Sequence, residues 1–169
     1  MEPTQKTIEL QTPTNLPRKK WIQNIYWVLA TIAILYAMIY IDVCLRAREA
    51  YLEGEKYWNW HQHPEEKSKV ILSQFELSKN ELIQKKNENK ITELEFKRQM
   101  EILEFDKDKN SEESSIKYAY VWYKTAFELF SPPESKWVKL SREKAVLARE
   151  KWKEELRSKK IPFEEYMLD

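Results

Sequence analysis

The chain holds one glycine, Gly54, among 169 residues, and that scarcity excludes most tight-turn architecture. Backbone at positive φ is easy for glycine and tolerable for asparagine, so few hairpin turns are expected. A phosphate-cradling loop cannot be built from a single glycine either. One cysteine, Cys44, excludes an internal disulfide framework. Basic and acidic residues nearly cancel, 29 against 28, and they alternate along the chain, so no patch for nucleic acid forms. No G-x-S-x-G elbow is present, and Cys44 has no histidine at helical spacing. The carboxylate pairs Glu65-Glu66, Glu112-Glu113 and Glu164-Glu165 lie in polar helical or linker sequence and read as solvated rather than buried. No catalytic or cofactor-binding residue is expected, and the chain does not read as an independent enzyme.

What is present is a long uncharged run. Trp21 to Ile41 carries no charged side chain over 21 residues, between Arg18-Lys19-Lys20 and Asp42. A helix needs about 20 such residues to cross a bilayer core. Trp21, Tyr26 and Trp27 near one end, and Tyr36 and Tyr40 near the other, suit the headgroup boundaries. A cleaved signal peptide would need a shorter run and a small-x-small site; Asp-Val-Cys-Leu-Arg-Ala-Arg after Ile41 offers none. The segment therefore reads as a single-pass membrane anchor in contact with lipid. Four basic residues precede it (Lys6, Arg18, Lys19, Lys20) and three follow (Arg46, Arg48, Lys56), which favours a cytoplasmic N-terminus with the C-terminal region opposite. Cys44 at the boundary reads as a small apolar residue on a packed or lipid-facing surface, with S-acylation as the alternative.

The remainder is expected to be all-α: extended extramembrane helices with thin cores, including a helical hairpin. Residues 1–17, with Pro3, Pro13 and Pro17, read as a disordered or extended tail. The membrane helix spans 18–45 with its core at 21–41, and can run on to about 55, near Gly54. Tyr57 to His63 reads as an amphipathic loop before Pro64. Ile71, Phe75 and Leu82 form one apolar stripe, Asn87 to Lys90 a polar turn, and Phe96, Met100 and Leu103 a second stripe. Thr92 and Glu95 form a capping box, with Ile91 and Phe96 as hydrophobic staple. The hairpin is placed at 65–105.

Leu82, then Ile91-Thr92-Glu93-Leu94-Glu95-Phe96, then Met100 and Leu103 resemble the short C-terminal domain (SHOCT) hairpin of bacterial proteins over residues 78–104. Where that family usually carries a glycine before Ile-Thr, this chain has Asn89-Lys90. The resemblance implies protein–protein association rather than catalysis.

After a polar linker at 106–115 comes an aromatic helix at 114–130, apolar nearly all round. A helix greasy on all sides must be covered on all sides. It reads as the main protein-contact element, with the central helix of the chain's own bundle as the alternative. Ser131-Pro132-Pro133 breaks it, and an amphipathic helix at 141–158, opened by Ser141, leads to a docking tail at 159–169. Expected interface residues are Ala30, Ala33 and Ala37, with Thr31 and Asn24, for lateral packing in the membrane, and Trp122, Phe127, Phe130, Trp137 and Trp152 as aromatic anchors. Together these features read as a non-catalytic accessory or structural subunit of a multi-subunit membrane complex, whose partners are other membrane-protein subunits. A self-assembling, membrane-tethered scaffold, in which the chain forms homo-oligomers, is the first alternative. The second is a membrane-proximal metal or haem carrier using His61 and His63. No metal site is expected, because two histidines two apart lack a third ligand.

Overall fold

The computed structural model describes residues 18–168, and every regular element among them is helical. These are α1 (Arg18–Gln62), α2 (Pro64–Asn87), α3 (Glu93–Glu112), α4 (Ser115–Glu128) and α5 (Lys136–Ser158), followed by a 3-10 turn at Glu165–Leu168. The tail expected at 1–17 and the last residue, Asp169, lie outside the described residues. The chain divides into two compact units between Ile41 and Asp42.

In the first unit, α1 is long and apolar enough to cross a membrane, and every side chain from Trp21 to Ile41 is exposed. Thr31 folds its hydroxyl back onto its own helix, donating to the Trp27 carbonyl at 2.9 Å. That is how a hydroxyl is satisfied on an apolar helix surface.

In the second unit, α1 continues to Gln62, past the expected end near 55. Tyr57 to Gln62, expected as a loop, is therefore the last part of this helix. The stop is His63-Pro64, where Pro64 lacks the N–H that another turn would need and instead opens α2.

The α2–α3 hairpin is thin. Ile71 is buried, while Phe75, Leu82, Phe96, Met100 and Leu103 are only half-covered. The capping box is formed: Glu95 N–H donates to Thr92 Oγ1 at 3.2 Å and Thr92 N–H to Glu95 Oε2 at 2.8 Å. Asn89 takes φ 55° in the turn, the left-handed geometry for which glycine would otherwise be needed. Its N–H bonds the Lys86 carbonyl while Lys90 bonds Lys85, which closes α2 with a Schellman motif.

α3 runs to Glu112, so most of the expected linker at 106–115 is helix. The reason is a long-range cap. Lys67 on α2 is 9% exposed, and its ammonium donates to the carbonyls of Ser111 (3.1 Å) and Glu113 (2.6 Å). A cation over the last carbonyls of a helix satisfies orphan acceptors and suits the dipole.

α4 and α5 pack with residues 42–62 of α1. Ile116, Ala119, Tyr120, Tyr123, Ala145 and Ala148 form the buried cluster, with Tyr51, Tyr57, Trp58, Phe127 and Trp152 against it. Ser114 caps α4, accepting from Lys117 N–H at 3.2 Å. α5 starts at Lys136, not near Ser141. Ser135 is its N-cap and accepts from Val138 N–H at 3.3 Å, while Ser141 is fully buried one turn inside. Val138 is also fully buried, so packing draws the helix start back toward the prolines.

The C-terminal segment folds back on α5. Leu168 is buried, and the Glu165 carboxylate meets Lys153 at 3.0 Å and Arg149 at 3.5 Å. The turn out of α5 is a second Schellman motif, with Lys160 N–H on Arg157 and Ile161 N–H on Leu156. Lys160 holds φ 55° there without the side-chain adaptability of asparagine. Lys160→Gly should therefore stabilise this unit by about 1 kcal/mol, since an L-residue in left-handed geometry carries a cost of that order. A rise in melting temperature followed by tryptophan fluorescence checks it.

Candidate interaction surface

The aromatic residues separate into two groups. Phe127 and Trp152 pack on the chain's own core, and Trp152 lies 5.8 Å from Tyr120, centroid to centroid. Trp137 packs at a tilt against Tyr51, 5.4 Å between centroids, with Lys136 at 4.4 Å and Arg48 at 5.9 Å from its ring. Trp122 and Phe130 face outward into an open groove of about 470 Å³. Arg46, Glu49, Ala50 and Leu52 of α1 form its other wall. α4 therefore uses one face, Ile116, Ala119, Tyr123 and Ala126, as the central helix of its own bundle. Trp122, with exposed Val121 and Leu129, lies off that face.

Ala30, Ala33 and Ala37 sit three and four residues apart, on one exposed face of α1. Thr31 and Asn24 are likewise exposed. Cys44 is half-buried. His61 lies in the last turn of α1 beside a recess lined by Trp58, Lys151, Glu154 and Glu155. His63 lies outside that helix, its Nδ1 3.5 Å from Glu65. Imidazoles two apart can share an ion in extended backbone, and this backbone is helical up to Gln62. Among the described residues no three metal-ligating side chains converge.

A polar network crosses the bundle at Glu55. Tyr123 is fully buried, and its hydroxyl donates to Glu55 Oε1 at 2.7 Å; Lys144 of α5 reaches the same oxygen at 3.1 Å. Burial, then the hydrogen bond to Glu55 and its charge, push the Tyr123 hydroxyl well above its ordinary range. Burial opposes ionisation of Glu55, but hydrogen bonds from Tyr123, Lys144 and Tyr51 together with the Lys144 charge outweigh it and hold the carboxyl below its ordinary value. A phenol that keeps its proton and a carboxylate that keeps its charge fasten three helices; neither group is poised to exchange a proton near neutrality.

Beside this network α1 and α4 approach closely. Gly54 is buried in α1, and a Cβ placed on it would lie 2.5 Å from Tyr123 Cε1. Ala50 and Ala47 are buried one and two turns earlier on the same face. This row of small residues and the Glu55 network are absent from the sequence-based expectations. The signal was available: Ala47, Ala50 and Gly54 fall three and four residues apart directly after the apolar run.

No protein-family model, curated protein or solved structure matches this chain.

Proposed function

We propose that the chain is a non-catalytic accessory or structural subunit of a membrane protein complex, anchored through Trp21–Ile41 with its N-terminus cytoplasmic. The observation that carries this reading is the groove at Trp122 and Phe130. Phe127 and Trp152 pack on the chain's own core, whereas these two edge an open concavity beside Arg46 to Leu52 of α1. Aromatic side chains in a concave, partly apolar setting are the usual centres of contact energy between proteins. The balanced surface charge gives no other class of macromolecule an electrostatic advantage.

Purification of the native protein in gentle detergent, with a native gel and mass spectrometry, tests the proposal. Heterologous subunits in fixed stoichiometry are expected. Trp122→Ser combined with Phe130→Ser should release them while the cooperative unfolding transition persists. A lone species would overturn the reading.

A ladder of the chain alone would favour the scaffold reading instead. Leu77, Leu94, Ile102 and Phe105 are exposed on the α2–α3 hairpin and could serve self-association. The SHOCT-like pattern of that hairpin implies protein–protein association and fits either reading.

A further inference from the structure

The turn between α4 and α5 has a definite position along α1. α1 and α4 run antiparallel, for Tyr118 stacks on Tyr57 at 5.3 Å and Tyr123 lies 5.9 Å from Tyr51. Phe130 is then reached beside Arg46, and α5 begins with Trp137 against Tyr51 and Arg48. Residues 129–136 therefore lie at the Asp42 end of this unit. Asp42 directly follows the apolar run. Arg46 is one helical turn beyond it, about 6 Å along the axis.

The chemistry of the turn suits the same layer. Leu129 is 70% exposed, and Pro132 and Lys136 are exposed beside it. Trp137 has two cations near its ring, Lys136 at 4.4 Å and Arg48 at 5.9 Å. An indole body with cationic neighbours is at home where hydrocarbon gives way to phosphate. The turn holds one carboxylate, Glu134, and Arg142 engages it at 2.9 Å. Repulsion from phospholipid phosphate is thereby reduced.

We propose that the α4–α5 turn, Leu129 with Ser131 to Lys136, rests in the phospholipid headgroup layer of the membrane that α1 enters, as a second contact fixing the orientation of the helical unit. The inference rests on the anchor reading above. It makes the bilayer surface the occupant of this turn, while the Trp122 groove stays open to a partner.

The experiment uses the full chain in nanodiscs of phosphatidylcholine with a phosphatidylglycerol fraction, at one protein per disc. With Cys44→Ser as background, single cysteines at Leu129, Leu147 and Ile34 receive a nitroxide label. Collision with oxygen and with a water-soluble nickel chelate is then measured for each. Leu147 is 55% exposed on α5 and supplies the aqueous reference. Nickel access at Leu129 is expected to be several-fold below that at Leu147, and Lys136→Glu should restore much of it. Equal access at Leu129 and Leu147, with Ile34 shielded from nickel and open to oxygen, overturns this inference alone. Nickel access at Ile34 overturns the anchor reading and this inference with it.

Discussion

Gly54→Ala is expected to destabilise the helical unit by about 1–2 kcal/mol, even though alanine is the better helix former by about 1 kcal/mol. The sign follows from where the new methyl would go. It would lie 2.5 Å from Cε1, 2.6 Å from Cδ1 and 3.1 Å from Cζ of the Tyr123 ring. A flexible tip could swing aside, but this ring is fully buried and tied at its hydroxyl to Glu55. The helices must separate or the ring must leave its rotamer, and overpacking of that kind costs about 1–3 kcal/mol. Because the ring is held at both ends, the upper part of that range applies and outweighs the gain in propensity. Gly54→Val adds two methyls and a stiff χ1, so its loss should exceed that of alanine. Melting followed by tryptophan fluorescence reads the effect, since far-UV signal from the long apolar helix would mask it. Tyr123→Leu in the Gly54→Ala background should cost less than the two separate losses added together, as expected for residues in direct contact. A Gly54→Ala protein as stable as the parent would mean that the helices are not held this close.

The same contact marks what the sequence did and did not disclose. The apolar run from Trp21, the hairpin stripes and the Thr92–Glu95 capping box are local patterns, legible because each depends on residues a few positions apart. The α3 terminus was hidden because Asp106 to Glu112 is polar and its helix is completed from α2, by Lys67. Ser141 and Ser135 are equally good caps by type; burial of Val138 and Ser141 decides between them, and burial is not local. The aromatic anchors divide for the same reason. Composition marks Trp122, Phe127, Phe130, Trp137 and Trp152 as contact residues, but only the packing of α4 between α1 and α5 turns Phe127 and Trp152 inward. Gly54 reads as a helix end because glycine favours such ends, whereas here it admits a ring.

Tyr123→Ala is expected to be the most damaging single substitution, costing about 3–5 kcal/mol, as for other large buried aromatics cut to a methyl. It removes the core of the bundle and takes one hydrogen bond from Glu55. Tyr123→Phe separates these effects, because it keeps the ring and deletes only the hydroxyl. A hydrogen bond to a charged acceptor contributes about 1.5–3 kcal/mol, and Lys144 with Tyr51 still serves Glu55, so the lower end is expected. The pH dependence then identifies the bond. The folded-state value of Glu55 lies below its ordinary 4.5. Its ionised form therefore contributes stability that is fully present above 4.5 and is lost as pH falls through the folded value. Without the Tyr123 hydroxyl that value moves back toward the ordinary one, so less stability remains for acid to remove. The parent should accordingly be clearly more stable than Tyr123→Phe near pH 7, and the difference should narrow as pH drops below 4.5. Other carboxylates titrate alike in both proteins and cancel in the comparison. A difference that stays constant down the acid range would assign the loss to ring packing and not to the bond with Glu55.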